Sequence, residues 1–123
     1  MPSLQPSPRI VVVGPCASGK TSLANGLRRH GYAVVVSGQE HSDIPHLWQR
    51  TEPDVVIALA VDLASIRRRR HNDRWPAWLL ARQQVRLRQA VAGATMRIDT
   101  SDRDPPAVLR LALSRLGRLP REA

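Results

Sequence analysis

Residues 10–21 read IVVVGPCASGKT. Isoleucine and valines at the start predict a buried strand, and residues 14–21 match the spacing G-x-x-x-x-G-K-[ST]. In that pattern the glycines let backbone N–H groups turn toward an anion, and the start of a helix presents its positive end. The stretch therefore predicts a strand, a phosphate-binding loop and a helix, in that order.

The lysine of this stretch has a specific chemical role. Lys20 is the only lysine among 19 basic residues. A compact ammonium on a flexible stem fits among phosphate oxygens better than a planar guanidinium does. Thr21 is predicted to offer its hydroxyl to Mg²⁺. The predicted nucleotide-binding residues in this region are Gly14, Pro15, Cys16, Ala17, Ser18, Gly19, Lys20, Thr21 and Ser22.

Length and composition predict one domain. Residues 10–119 of the 123 are predicted to form a single nucleotide-binding unit, and residues 1–9 a flexible tail that is not a signal peptide. The apolar residues are mainly Val, Leu, Ile and Ala, with no Phe, which favours a parallel sheet covered by helices. No run approaches the ~20 apolar residues of a membrane span, so no membrane insertion is predicted.

The net charge indicates the class of binding partner, and the cysteine content indicates the cellular compartment. A net charge of +9 predicts polyanionic partners, which are nucleotide phosphates, nucleic acid or an acidic membrane surface. Cys16 is the sole cysteine, so no intrachain disulfide can form and a cytoplasmic location is favoured. In the loop it is interpreted as a small residue, with catalytic or redox use of the thiol as the alternative.

Three further strands and four helices are predicted after the loop, and the first of these helices directly follows it. The predicted strands are residues 32–36, 55–61 and 96–99, and the predicted helices are residues 21–29, 63–71, 76–92 and one that opens at Pro105 and Pro106. This alternation predicts a three-layer α/β fold with a parallel sheet of about four strands. The expected strand order is 2-1-3-4, with right-handed crossovers.

Acidic residues follow two of the strands at the edge where parallel sheets bind ligands. Glu40, His41, Ser42 and Asp43 come after the second strand. The alternative is a solvated loop in which Asp43 caps a short helix over residues 46–50. Asp62 ends the third strand, and it is either a carboxylate that orients magnesium or the cap of the next helix.

The predicted helices over residues 63–71 and 76–92 are basic. Arg67, Arg70 and Arg74 are spaced i, i+3 and i+7, which predicts one basic helical face or, alternatively, a solvated surface. In the segment 76–92, the apolar stripe is predicted to comprise Leu80, Leu87 and Val91, with Arg82, Gln83 and Arg86 off it.

Taken in order, these segments resemble the small-molecule kinases of the P-loop class, especially thymidylate kinase and the deoxyribonucleoside kinases. The features shared with that family are the loop, a carboxylate after the second strand (Glu40), a P-D strand at residues 53–59, an arginine-rich lid over residues 67–74, and the IDTS stretch of residues 98–101. The resemblance implies a P-loop NTPase fold, ATP and Mg²⁺ as cofactors, and transfer of the γ-phosphoryl group to a nucleoside-like or nucleotide-like acceptor.

The resemblance also implies roles for single residues. Lys20 and Thr21 would hold the β- and γ-phosphates and Mg²⁺, and Arg67, Arg70 and Arg74 would close over the transferred group. Glu40 would accept the acceptor's proton. The turn at residues 100–104, which includes Thr100 and Ser101, would face the adenine. The family's long acceptor-binding segment is shortened here to residues 37–52. The acceptor pocket is therefore missing, much reduced, or supplied by another subunit of a homo-oligomer. The alternatives to a kinase are a nucleotide-binding regulator without efficient turnover and a nucleic-acid-binding NTPase.

Overall fold

The computed structural model describes residues 8–119. The elements in this range are β1 Arg9–Val13, α1 Lys20–Arg29, β2 Ala33–Val36, β3 Val55–Ala60, α2 Leu63–Arg70, α3 Ala77–Ala92, β4 Met96–Asp99 and α4 Pro105–Leu116. Two 3₁₀ turns, Gln39–His41 and Leu47–Gln49, lie between β2 and β3. Most of the predicted tail lies outside the described residues, although its last residue, Arg9, begins β1.

All four strands of the sheet are parallel, in the order β2-β1-β3-β4. The predicted strand order is confirmed. Ile10 lies opposite Val34 on β2 and Val55 on β3, so the β-branched run of β1 occupies the centre of the sheet. Because parallel strands end at the same edge, the segments that follow β1, β2, β3 and β4 all meet there.

Helices pack on both faces of the sheet. On one face, alternate strand residues form a core cluster with α1 and α4; its members include Ile10, Val12, Ile57, Leu59, Ile98, Leu23, Leu27, Val108 and Ala112. On the other face, the intervening strand residues pack on Trp48 and α3; this second cluster comprises Val11, Val13, Trp48, Val56, Ala58, Leu87 and Ala90. A sheet of β-branched residues buried on both faces is the arrangement expected of an α/β fold, and the predicted fold class is confirmed at that level.

The buried stripe of α3 differs from its prediction. Gln83 is only 1% exposed, whereas Val91 is 37% exposed. The inward face repeats as Leu80, Gln83, Leu87 and Ala90, which a period of 3.6 residues places on one side. A glutamine on this face needs hydrogen-bond partners, and it has them in the loop between β1 and α1.

Two predictions about local helices are wrong. The α2 helix ends at Arg70, because His71 takes a left-handed conformation with φ 53° and closes it. Arg74 therefore lies beyond the helix and does not share a helical face with Arg67 and Arg70. Asp43 does not cap the turn at Leu47–Gln49, since that turn has no side-chain cap and the Asp43 carboxylate pairs with Arg86 instead.

Within residues 8–119, none of the helices has the length and apolar character needed to cross a membrane.

Candidate functional site

The loop of residues 14–21, called here the 14–21 loop, has a backbone that its sequence explains. A Cβ added to Gly14 would lie 2.6 Å from the Ser18 hydroxyl oxygen and 3.1 Å from the carbonyl oxygen of Leu59, so only glycine fits. Ala17 and Gly19 both have positive φ, 60° and 97°. Gly19 caps α1 without a side-chain hydrogen bond, so the first N–H groups of α1 have no side-chain cap at that position.

Three side chains hold the 14–21 loop from outside. Gln83 Oε1 accepts from the N–H of Cys16 at 2.9 Å, and its amide nitrogen donates to the Cys16 thiol at 3.1 Å. The Thr100 hydroxyl donates to the carbonyl of Ser18 at 2.8 Å. Arg69 donates to the carbonyl of Ala17 at 2.8 Å. In a trans peptide the C=O and N–H point in opposite directions, so holding the Ser18 carbonyl outward turns the Gly19 N–H to the other side.

Lys20 lies over the beginning of the loop that contains it. Its Nζ donates to the carbonyls of Gly14 at 2.9 Å and Pro15 at 2.8 Å, and it forms an ion pair with Glu40 Oε2 at 2.8 Å. The side chains of Lys20 and Glu40 are only 12% and 5% exposed. The structure thus brings two residues with separate predicted roles into direct contact.

Glu40 is placed by the 3₁₀ turn that follows β2. Gln39 braces this turn, because its buried amide donates to the carbonyl of Ile44 at 2.7 Å and accepts from the N–H of Trp48 at 3.1 Å. Arg86 of α3 donates to the Glu40 carbonyl at 3.3 Å. Glu40 Oε1 is buried and has no hydrogen-bond partner among the described residues. His41 Nε2 lies 3.8 Å from the other carboxylate oxygen.

Asp62 and Thr21 were predicted to serve a metal ion. Asp62 Oδ1 accepts from the N–H of Ser65 at 2.7 Å, and the cap of α2 that was the alternative interpretation is therefore present. The hydrogen bonds from Ser65 hold the pKa of the Asp62 carboxyl below its usual value. Thr21 is exposed in the first turn of α1. In the described range, no group of three or more His, Cys, Asp or Glu side chains is arranged to hold a metal.

Thr100 and Ser101, which were predicted to face a base, use their hydroxyl groups within the protein. They are 2% and 6% exposed. Thr100 bonds the loop at Ser18, and the Ser101 hydroxyl accepts from the N–H of Asp62 at 2.9 Å. The turn after β4 therefore supports both the 14–21 loop and the start of α2.

The arginine that contacts the 14–21 loop is one that the sequence analysis missed. Arg69 bonds both the hydroxyl and the carbonyl of Thr100 as well as the carbonyl of Ala17. Of the predicted set, Arg67 donates to the carbonyl of Trp75 at 3.0 Å, and Arg70 is exposed. The sequence signal for Arg69 was its spacing of three residues from the apolar Ile66, because residues three apart on a helix share a face. In the structure Ile66 is fully buried.

No protein-family model and no curated protein matches this chain. The geometry and chemistry of the site are therefore the basis of its proposed function.

Replacing Arg69 with alanine is expected to lower the free energy of unfolding by about 1–3 kcal/mol, because it leaves part-buried carbonyls of the loop and of Thr100 without this donor. Arg70→Ala is the matched control, since it removes the same charge from an exposed neighbour, and its effect should stay within about 0.5 kcal/mol. Urea unfolding of both variants measures the difference. Equal stabilities would mean that Arg69 does not support the loop.

Proposed function

We propose that this protein is a small-molecule kinase of the P-loop type, which binds ATP with Mg²⁺ at the 14–21 loop and transfers the γ-phosphoryl group to a nucleoside-like or nucleotide-like acceptor. One observation carries the proposal. The loop joins a central parallel strand to a helix N-terminus, has two left-handed residues, and contains the chain's only lysine, whose ammonium meets a buried carboxylate. Backbone N–H groups at a helix start and a nearby ammonium are the groups that bind phosphate oxygens.

The proposed roles of the other residues follow from where they lie. The exposed hydroxyl of Thr21 would bind Mg²⁺, and Glu40 would accept the proton of the acceptor hydroxyl. Arg67 and Arg70 at the end of α2, with Arg74 in the next turn, would neutralise charge on the transferred group. Phosphoryl transfer depends mainly on positioning and on charge neutralisation. The three arginines would supply the charge neutralisation.

The proposal predicts that purified protein binds Mg-ATP and converts it to ADP only with a suitable acceptor. Isothermal titration calorimetry measures the binding. A panel of nucleosides, nucleotides and small alcohols, with ADP release as the signal, then identifies the acceptor class. Absence of ATP and GTP binding at millimolar nucleotide would contradict the proposal at its first step.

The second candidate function is a nucleotide-binding regulator without efficient turnover. The observation that favours it is the short connection between β2 and β3, which contains two single 3₁₀ turns and no longer helix. Such a connection offers little surface to hold an acceptor. Tight ATP binding without ADP release across the whole panel would support the regulator over the kinase.

A further inference from the structure

We infer that Glu40 gates the phosphate site: its carboxylate competes with nucleotide phosphates for Lys20, and it becomes free to act on the acceptor only after the phosphates have taken over the lysine. The inference rests on the proposed function and adds an order of events to it. Nucleotide binding would precede, and permit, removal of the acceptor proton.

The first argument is the hydrogen-bonding capacity of Lys20. An ammonium group has three N–H donors. The acceptors within 2.9 Å of Nζ are the carbonyls of Gly14 and Pro15 and the carboxylate of Glu40. All three donors are thus directed at protein oxygens. A phosphate oxygen can accept a full hydrogen bond from Lys20 only if one of these three acceptors moves away from Nζ.

The second argument concerns which acceptor gives way. The Gly14 backbone is packed tightly against Ser18 and Leu59, and the Pro15 carbonyl also accepts from the N–H of Ser18 at 3.2 Å. These two carbonyls belong to the loop backbone and cannot turn without disturbing the loop. The Glu40 carboxylate is the one acceptor of the three at the end of a rotatable side chain.

The third argument is charge. The Glu40 side chain is 5% exposed, so solvent screens its charge poorly. Phosphates that approach Lys20 would meet this buried negative charge, and like charges at short range oppose binding. The ion pair that neutralises Lys20 therefore also lowers its affinity for phosphate.

The fourth argument is that Glu40 Oε1 is an unsatisfied hydrogen-bond acceptor. It is buried and accepts no hydrogen bond from any of the described residues. A buried acceptor without a hydrogen bond is unfavourable, so a donor that reached it would be held there. An acceptor hydroxyl is such a donor, but it can reach Oε1 only after Glu40 has left Lys20, because the ion pair holds the carboxylate with Oε1 buried. In the transfer step its proton would pass to Glu40, its oxygen would bond to the γ-phosphorus, and the bond to the bridging oxygen would break to release ADP.

The test is the affinity of Glu40→Gln for Mg-ATP, measured by isothermal titration calorimetry. We expect it to exceed the wild-type affinity by about tenfold or more, because the charge is lost while the side chain keeps its shape. Adenosine, which has no phosphates, should bind both proteins equally. Asp43→Asn is the matched control: it removes the same charge from the same segment, but Asp43 is 83% exposed and pairs with Arg86. Its ATP affinity should stay within about twofold of wild type.

A gain in affinity cannot be caused by damage to the fold. If Glu40→Gln is too unstable for calorimetry, Glu40→Ala serves for the same comparison. Wild-type protein that binds ATP as tightly as the Glu40 variant, or more tightly, would overturn the gate and leave the proposed function standing. Absence of ATP binding by both proteins would overturn the proposed function, and the gate with it.

Discussion

Lys20→Met is expected to lower ATP affinity by about a hundredfold or more, since it removes the chain's only ammonium side chain from the proposed phosphate site. Arg69 of α2, which contacts the loop, does not replace it, because this arginine is already bonded to the carbonyl of Ala17 and to Thr100. Calorimetric titration with Mg-ATP measures the loss. Unchanged affinity in a folded variant would remove the phosphate site from this loop.

The ion pair between Lys20 and Glu40 makes a control variant necessary for Lys20→Met. Lys20→Met alone leaves the Glu40 carboxylate buried without its cation, which costs about 3–5 kcal/mol of stability in comparable buried pairs. The double variant Lys20→Met with Glu40→Gln removes both charges, so it should recover most of that stability while its ATP affinity stays low. If the double variant regained wild-type affinity, the loss in the single variant would come from unfolding or from the unpaired Glu40 charge, and not from the missing ammonium.

Glu40→Gln is expected to lower the rate constant kcat of phosphoryl transfer by about 10²- to 10⁴-fold, because the amide cannot accept the acceptor's proton. The rate is measured as ADP release at saturating Mg-ATP with the acceptor that the panel identifies. The gate predicts tighter ATP binding in the same variant, so affinity and turnover should change in opposite directions. General damage to the fold would lower both.

Asp43→Asn serves as the control for this rate as well. It lies in the same segment as Glu40, and its carboxylate is largely exposed, so its kcat should remain close to that of the wild type. Equal turnover in wild type and Glu40→Gln would mean that Glu40 is not the base. The Mg-ATP affinity of the same variant would still test separately whether Glu40 gates the phosphate site.

Several features of the site were predictable from sequence, because they depend on residues that are neighbours in the chain. The positions of β1, the 14–21 loop and α1 follow from an apolar run that meets a glycine-rich stretch. The sequence also offers Asp62 as a cap of the next helix, and the structure shows Asp62 capping α2. Local backbone geometry determines each of these features.

The contacts that hold the loop were not predictable in this way. Gln83 lies 67 positions from Cys16, and Thr100 lies 82 positions from Ser18. Whether these side chains meet depends on how α3 and the turn after β4 sit against β1. The error over the stripe of α3 has the same cause. Leu80 and Leu87 face inward in both the predicted and the observed stripe, and a small rotation of the helix about its axis decides whether Gln83 or Val91 is buried beside them.

By itself, the sequence determined the strands, their parallel order and the edge at which the polar residues gather, since periodicity and right-handed crossovers restrict these strongly. Only the tertiary structure decided that Lys20 meets Glu40 and that Arg69 is the arginine that contacts the loop. The physical reason is that a hydrogen bond or buried ion pair requires atoms within about 3 Å, and that precision comes from the packing of the helices on the sheet.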